Sequence, residues 1–240
     1  MQLHQIRNST IILYYAGKKF VIDPWLSDKG SDGWIGPTVE LPISIEEIVS
    51  GVDAFLVTHT HEDHFSVHGM PKNIQMYVQN IQDMNKLIDF GFENVCILDE
   101  AGSNFNDIML YKTGGLHFDK TPNTMGDVCG IILKHANEKT IYFTGDTIWC
   151  PDVEKAIETH NPDIIVVNAC AARYGGGRLI MDENDVYNVY KTAPEALIVI
   201  SHMEAVSHAT ITRNDMLNYI KKNKMISRVL IPNDGEQIQF

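Results

Sequence analysis

Residues 58–64 of the 240-residue chain read Thr58-His59-Thr60-His61-Glu62-Asp63-His64. Three of the ten histidines and a carboxylate therefore fall within six positions. Neutral imidazoles and carboxylates are the ligands that suit zinc and its borderline neighbours. The apolar run that precedes them, Ala54 to Thr58, predicts a short buried strand, which places the histidines on a loop at a strand end. The stretch therefore predicts a metal site.

The spacing of these residues selects the kind of site. A helical zinc protease needs His-Glu-x-x-His, whereas this chain has His61-Glu62-Asp63-His64, one residue short. His68 lies four residues after His64, but no Glu follows His64, so His68 is interpreted as a surface or capping histidine. If His59 and His61 project in the same direction from an extended segment, they can share one ion, while Asp63 and His64 reach another. The spacing suggests two adjacent metals.

The stretch resembles the signature of the metallo-β-lactamase superfamily, whose members hold two metals between two packed β-sheets. The family pattern also includes an Asp that ends an early strand, a lone His beyond the signature, a bridging Asp that ends a later strand and a last His near the C-terminus. The chain has a residue of the right type at each of these places: Asp23, His117, Asp146 and His202. The resemblance therefore spans nearly the whole chain.

The resemblance implies a role for each of these residues. His59, His61 and His117 would bind one metal, Asp63, His64 and His202 would bind the other, and Asp146 would bridge both. Asp23 would orient a ligating histidine, although a turn residue before Pro24 is the alternative. Asp63 would also act in catalysis by orienting a metal-bridging hydroxide or accepting its proton. The implied cofactors are two divalent ions, with zinc first and manganese or iron as alternatives.

The segment Ser201 to His208, followed by Thr212-Arg213, resembles one branch of the superfamily, the small metal-dependent hydrolases related to ascorbate-6-phosphate lactonase. A more distant similarity is to N-acylphosphatidylethanolamine phospholipase D. The chain is shorter than the ascorbate-6-phosphate lactonases, so their phosphate contacts are not carried over. His208 is a candidate catalytic residue that would protonate a leaving group or hold a substrate oxygen. A histidine that caps or packs under the next helix is the alternative.

The function that the resemblance implies is hydrolysis of a small ester, lactone or phosphoester by the metal-bridging hydroxide. A phosphodiesterase is the alternative enzyme, and a non-catalytic metal-binding homologue is the alternative from another class. Zinc β-lactamases carry Cys or Ser where this chain has Asp146, so penicillin hydrolysis is not expected. Flavodiiron oxidoreductases carry Glu in place of His61 and add a flavin domain, so dioxygen or nitric oxide reduction is not expected either.

The composition indicates which kinds of partner the chain can bind. The chain has 19 Lys and Arg against 31 Asp and Glu, and a net charge of -12 repels a phosphate backbone, so no nucleic acid is expected. No apolar stretch approaches the roughly 20 residues of a membrane span, and the first residues lack the features of a signal peptide. We therefore expect a cytoplasmic enzyme with a small-molecule substrate and no membrane contact, and a homo-oligomer remains open. The four cysteines are widely separated and are expected to be reduced.

The pattern along the chain predicts an α/β (α+β) fold with one domain over residues 1–240. Thr10 to Tyr15 and Lys19 to Ile22 predict a hairpin, as do residues 131–134 and 140–143. Ser44 and Glu47 form a capping box before a first helix. Helical periodicity predicts four further helices, which begin near Ile81, Val153, Val186 and Asn214. The resemblance implies that these elements build a four-layer αββα sandwich.

Two loops are candidates for substrate selection. The loop from Leu26 to Pro42 carries Trp34 and is either a lid with an aromatic wall or a surface loop that Trp34 packs. The glycine run Tyr174 to Arg178 is either a flexible connector or a flap that places Arg173 or Arg178 against a phosphate or carboxylate.

Overall fold

The computed structural model describes residues 1–240, and its framework is two seven-stranded sheets. The first sheet has the strand order β16-β1-β2-β3-β4-β5-β6. Its strands are β1 (Gln2–Arg7), β2 (Thr10–Tyr15), β3 (Lys18–Ile22), β4 (Ala54–Leu56), β5 (Gln75–Val78), β6 (Val95–Ile97) and β16 (Gln237–Gln239). Both chain ends therefore meet at one edge of this sheet, where β1 pairs with β16.

The second sheet has the order β15-β14-β11-β10-β9-β8-β7. Its strands are β7 (Ser103–Phe105), β8 (Ile108–Thr113), β9 (Gly130–Lys134), β10 (Ile141–Phe143), β11 (Ile164–Asn168), β14 (Leu197–Ser201) and β15 (Val229–Leu230). A separate two-stranded hairpin consists of β12 (Arg173–Tyr174) and β13 (Gly177–Arg178).

Each large sheet has an antiparallel part and a parallel part. The hairpin β2–β3 and the pair β9–β10 are antiparallel, and both were predicted from the sequence. The strands β3, β4, β5 and β6 are parallel to one another, as are β10, β11, β14 and β15. Parallel neighbours need crossover connections, and helices supply several of them here.

The five helices are α1 (Ile45–Val49), α2 (Ile81–Asp89), α3 (Pro151–His160), α4 (Glu183–Thr192) and α5 (Arg213–Lys222). Their starts agree with the prediction to within three residues. The Ser44 side chain accepts from the Glu47 amide and the Glu47 side chain accepts from the Ser44 amide, so the predicted capping box is present. None of the five helices has both the length and the apolar content that crossing a membrane requires.

Alternation along the strands divides the apolar residues among three cores. Ile22, Leu56 and Val166 point between the two sheets into the inner core. Their neighbours Val21 and Phe55 point away from it, toward α1 and α2. On the other face of the second sheet, Ile165 packs in a core with side chains of α3, α4 and α5. The layers are therefore helices, sheet, sheet and helices, which confirms the predicted αββα sandwich.

Candidate metal centre

The candidate ligands and Asp23 follow the C-terminal ends of strands. Asp23 follows β3, His59 follows β4, His117 follows β8, Asp146 follows β10 and His202 follows β14. Parallel strands place their C-terminal ends along one edge of a sheet, and the two sheets present these edges on the same side of the sandwich. Residues that are far apart in sequence therefore meet in one place.

The first cluster consists of three imidazoles, those of His59, His61 and His117. Their ring centroids are 4.5 to 5.1 Å apart, and Nδ1 of His61 lies 3.1 Å from Nε2 of His117. His59 and His117 are buried and His61 is half-buried. The ligand atoms of the cluster lie within 4.8 Å of one another, which is close enough for one ion to contact all three.

The second cluster consists of Asp63, His64, Asp146 and His202, all buried. Nε2 of His202 lies 3.2 Å from Oδ2 of Asp63 and 3.6 Å from Oδ2 of Asp146. Nε2 of His64 lies 3.1 Å from the same Asp146 oxygen. The clusters adjoin each other, because the rings of His59 and His64 are 4.1 Å apart. The structure thus brings together the seven predicted ligands in two adjacent groups.

Asp23 lies behind both clusters. Its carboxylate accepts hydrogen bonds of 2.8 Å from the Thr58 amide, from the Thr58 hydroxyl and from Nδ1 of His64. The Thr58 hydroxyl also lies 3.1 Å from Nδ1 of His59, and because its proton goes to Asp23, its oxygen is free to accept from that ring. One carboxylate therefore orients a ligand of each cluster, directly in one case and through a hydroxyl in the other.

Three residues that contact the clusters were not assigned a role from the sequence. The Asn168 amide donates to Oδ1 of Asp146 over 2.8 Å. Sγ of Cys170 lies 3.5 Å from Nδ1 of His202, and the Asn8 amide donates to the backbone carbonyl of Asp63 over 3.0 Å. Asn168 ends strand β11, so the strand-end pattern that located Asp146 would also have found it. Asn8 directly follows β1 and Cys170 lies two residues after β11, so the same pattern also points to them.

The imidazole cluster has lowered pKa values. Burial lowers the pKa of His59 well below its ordinary value, and the neighbouring imidazoles lower it further. Burial likewise lowers the pKa of His61, and it lowers that of His117 to about 4. These three rings are therefore neutral at pH 7, which is the form that binds a metal.

The second cluster has the opposite character. Burial lowers the pKa of His64, but the carboxylates of Asp146 and Asp23 outweigh burial and raise it to about 10. The pKa of His202 is also raised, since Asp146 again outweighs burial. Burial raises the pKa of the carboxyl groups, whereas His64 and His202 hold the pKa of Asp146 well below its usual range. Without a metal, this cluster consists of ion pairs.

The hydrogen-bonding pattern fits metal ions. Nδ1 of His59, His64 and His117 is bonded to Thr58, Asp23 and the Leu179 carbonyl respectively. The opposite nitrogen of His59 is buried and has no hydrogen-bond partner, and that of His64 is buried with only the Asp146 oxygen at 3.1 Å beside it. Buried polar atoms are rarely left unpaired, and an ion that accepts their lone pairs explains the arrangement.

A cavity of about 390 Å³ opens on both clusters, and its lining includes His61, His117, Asp63 and Asp146. Trp34, Ile35, Met125, Tyr174 and Leu179 make up its apolar lining, and His208 also faces it. A larger surface concavity, of about 810 Å³, lies between α5 and β16 and has no histidine or cysteine in its lining. The chemistry therefore belongs to the smaller cavity.

The contacts of Arg178 do not support the alternative in which a flap places it against a substrate anion. Nη1 of Arg178 lies 2.7 Å from Asp185 and 2.5 Å from Asp182, so both of its anionic partners come from the chain itself. The glycine run forms the turn of the β12–β13 hairpin and connects its two strands. Arg173 is exposed and lies outside the cavity lining.

Residues 2–203 match the family model described as a beta-lactamase superfamily domain. The chain belongs to the beta-lactamase superfamily. Among its relatives, this superfamily member is 44% identical to the UPF0173 protein YddR of Bacillus subtilis (strain 168) over the full length of both chains. It is also 28% identical to a UPF0173 metal-dependent hydrolase of Caldivirga maquilingensis, over 63% of this chain and 62% of the relative.

Two solved structures share the fold of this superfamily member over its full length. An isothiocyanate hydrolase from Delia radicum gut bacteria is 36% identical, with a TM-score of 0.94, and 99% of its chain is covered. A possible metal-dependent hydrolase from Veillonella parvula DSM 2008 is 35% identical, also with a TM-score of 0.94 and 99% of its chain covered. The resemblance predicted from the histidine signature is thus confirmed at the level of the superfamily.

Proposed function

We infer that this chain, a metal-dependent hydrolase of the beta-lactamase superfamily, holds two divalent ions and hydrolyses a small, uncharged substrate with an electrophilic carbon. The observation that carries this inference is the cavity over the two clusters. Among its lining residues the one cationic side chain is Lys86, whose Nζ donates to the carbonyl and the hydroxyl of Thr60. A neutral substrate with an apolar body suits such a lining better than an anionic one.

The ligands proposed for one ion are His59, His61 and His117, and those for the other are Asp63, His64 and His202, with Asp146 shared. Divalent ions bound there would supply a water activated near neutral pH and polarise the substrate. Imidazole-rich sites suit zinc. Manganese or iron is the alternative, and the availability of each metal in the cell determines which one binds. Asp63 would orient the attacking water and accept its proton.

His208 is the proposed proton-handling residue on the substrate side. Burial lowers the pKa of His208, although Asp63 opposes this shift, so the ring is neutral at pH 7. A neutral imidazole has one N–H to donate and one nitrogen to accept. This favours a hydrogen bond to a substrate oxygen, nitrogen or sulfur over donation from an imidazolium. The alternative predicted from the sequence, a histidine that only packs, is less well supported because the ring lines the cavity.

The first candidate substrate is an isothiocyanate. The support is the full-length similarity to the isothiocyanate hydrolase from Delia radicum gut bacteria and the apolar cavity lining. In this reaction water forms a carbon–oxygen bond at the central carbon and the carbon–nitrogen bond breaks. Both protons of the water go to nitrogen, so the products are an amine and carbonyl sulfide. His208 would hold the nitrogen or sulfur while Asp63 passes on the proton.

The second candidate is the small ester or lactone that the histidine signature implies. The same attack on an electrophilic carbon serves both classes. A phosphoester or phosphodiester is less favoured, because Lys86 is the one Lys or Arg in the cavity lining and Arg178 is paired with Asp182 and Asp185. A non-catalytic metal-binding homologue would leave the cavity without a role.

The test uses purified protein loaded with Zn²⁺ or Mn²⁺ and a panel of benzyl isothiocyanate, phenyl acetate, γ-butyrolactone and a bis-aryl phosphodiester. We expect metal-dependent release of carbonyl sulfide, and its loss in Asp146→Ala but not in Asp89→Ala, a control at an exposed carboxylate. Turnover of the ester or lactone alone would select the second candidate. Bound metal with no turnover of any substrate would contradict the enzymatic assignment.

A further inference from the structure

Two aromatic side chains from separate segments meet at the mouth of the cavity. The rings of Trp34 and Tyr174 are stacked, with centroids 5.7 Å apart and an interplanar angle of 21°. Trp34 also contacts His208, at 5.4 Å between ring centroids and 54° between ring planes. The three side chains line the same cavity as the metal clusters.

The loop that carries Trp34 is held in place at its tip. The Ser207 amide donates to the Ile35 carbonyl over 3.0 Å, and the Thr38 amide donates to the Ala205 carbonyl over 2.8 Å. The Thr38 hydroxyl donates to the Glu204 carbonyl over 2.7 Å, and the Ser207 hydroxyl donates to the Trp34 carbonyl. The tip is therefore attached to the segment between His202 and His208.

The base of the same loop is held by Arg7, which is fully buried. Its guanidinium donates to the carbonyls of Trp25 and Ser27 at one end of the loop, over 2.9 and 2.8 Å, and to that of Val39 at the other end, over 3.0 Å. These bonds tie the two ends of the loop together. Trp34 is thus presented on a braced loop and lines the cavity, which favours an aromatic wall over a surface loop that Trp34 only packs.

Tyr174 is positioned by a different element. It ends strand β12, whose first residue, Arg173, donates its amide to the His208 carbonyl over 3.3 Å. Gly177 in the paired strand lies against Phe118, where a Cβ atom would come within 2.1 Å of the ring, so the hairpin packs closely on that side. Both aromatic rings are therefore fixed relative to His208 and to the cavity.

The rings of Trp34 and Tyr174 are both largely exposed. Trp34 is 59% exposed and Tyr174 is 51% exposed, so each ring has one side on its neighbour and much of its remaining surface in water. The other exposed apolar side chains, such as Ile88, Phe90 and Ile226, lie outside this cavity. The free energy falls when a ligand covers apolar surface. The face of an aromatic side chain packs well against another flat ring.

We propose that Trp34 and Tyr174 form an aromatic platform that selects substrates with a flat, uncharged aryl group, while the electrophilic carbon of the substrate faces the metal clusters. The identity of the reacting group rests on the proposed function. The recognition of the aryl group by the platform does not depend on it. Ile35, Met125 and Leu179 extend the apolar surface around it. Substrates with only a methyl group would leave the platform uncovered.

The first test compares kcat/KM for benzyl and methyl isothiocyanate, because the ratio between variants cancels the intrinsic reactivity of each compound. The wild type should favour the benzyl compound, and Trp34→Ala should reduce that preference by about tenfold, mainly through KM. Trp34→Phe should retain most of the preference, and Tyr174→Ala should lose part of it. Tyr14→Ala removes a comparably exposed ring on β2, 42% exposed, and should change nothing. An unchanged preference in Trp34→Ala would overturn the platform.

The second test needs no turnover. Trp34 is the exposed one of the three tryptophans, since Trp25 is buried and Trp149 is half-buried, so iodide should quench its fluorescence selectively. In metal-loaded protein, phenylacetamide should protect this fluorescence and acetamide should not, and Trp34→Phe should abolish the signal. If no isothiocyanate is hydrolysed but phenylacetamide protects, the proposed substrate is wrong and the platform stands. If phenylacetamide protects no better than acetamide, the platform is wrong.

Discussion

The imidazole cluster and the carboxylate-containing cluster adjoin each other, yet their protonation behaviour is opposite. His117 has its pKa lowered to about 4 by burial, whereas His64, equally buried, has its pKa raised to about 10 by Asp146 and Asp23. The difference comes from the neighbours, because burial acts in the same direction on both rings. A histidine motif alone therefore does not decide which of its imidazoles is neutral and ready to bind a metal.

The largest expected effect comes from Asp146, the residue assigned to both ions. Asp146→Ala should remove the carboxylate that pairs with His64 and His202, so both metals should bind poorly. We expect activity to fall by more than about 100-fold, the upper end of what substitutions of the surrounding residues cost. Elemental analysis and the turnover assay measure the two losses. Retention of two metals in this variant would show that the clusters do not share Asp146.

The next test separates the two clusters. His117→Ala removes a ligand of the imidazole cluster and His202→Ala removes a ligand of the other, so each variant should keep about one metal per chain. His68→Ala is the matched control, since His68 is exposed and outside both clusters. Loss of both metals in either variant would mean that the clusters bind cooperatively rather than separately.

Metal-free protein should lose stability on both sides of neutral pH, for different reasons on each side. The pKa of His64 is raised, so its stabilisation is complete below about pH 6.5 and is lost as the pH rises toward about 10. The pKa of His117 is lowered, so stability falls as the pH drops from about 6.5 toward about 4. Each proton changes the free energy of unfolding by up to about 1.4 kcal/mol per pH unit.

Thermal unfolding of chelator-treated protein between pH 4 and about pH 10 measures both branches. His64→Gln should make the alkaline branch shallower, with His202 supplying what remains, and His117→Gln should make the acidic branch shallower, with His59 and His61 supplying what remains. A single branch in the wild type, or one that neither variant alters, would contradict the assigned protonation states.

Asp23 tests whether the two clusters depend on a common support. Asp23→Asn keeps the size of the side chain but weakens its bonds to His64 and Thr58, so metal affinity should fall by about 10- to 100-fold. Thr58→Val removes the hydroxyl that links Asp23 to His59 but leaves the bond between Asp23 and His64, so it should affect the imidazole cluster more than the other. Competition with a fluorescent chelator measures both. Equal losses in the two variants would exclude the separate connections.

The smallest effect is expected at Cys170. Sulfur is a weak hydrogen-bond acceptor, so Cys170→Ala should lower metal affinity by less than about tenfold. Cys129→Ala, at another buried thiol whose contact is the Thr58 carbonyl, provides the comparison. A loss as large as that of Asp23→Asn would place the sulfur among the principal supports of His202.

Much of the fold was predictable because its signals are local. The capping box of Ser44 and Glu47, the hairpin β2–β3 and the helix starts depend on residues a few positions apart, and each was predicted. The candidate ligands were predicted from the resemblance to the family pattern, which places them after strand ends. Asn8, Asn168 and Cys170 also lie at strand ends but were not assigned a role, because an amide or thiol at a strand end does not by itself distinguish a contact with the site from packing.

By itself, the sequence determined which residues are able to bind a metal and which strands carry them, because side-chain chemistry and short-range spacing are written in the chain. The tertiary structure decided the charge of each imidazole, the pairing of Arg178 with Asp182 and Asp185, and the contact between Trp34 and Tyr174. Those outcomes depend on burial and on partners from other elements. Spacing along the chain predicts neither burial nor these partners, because electrostatic and packing energies depend on distances in space.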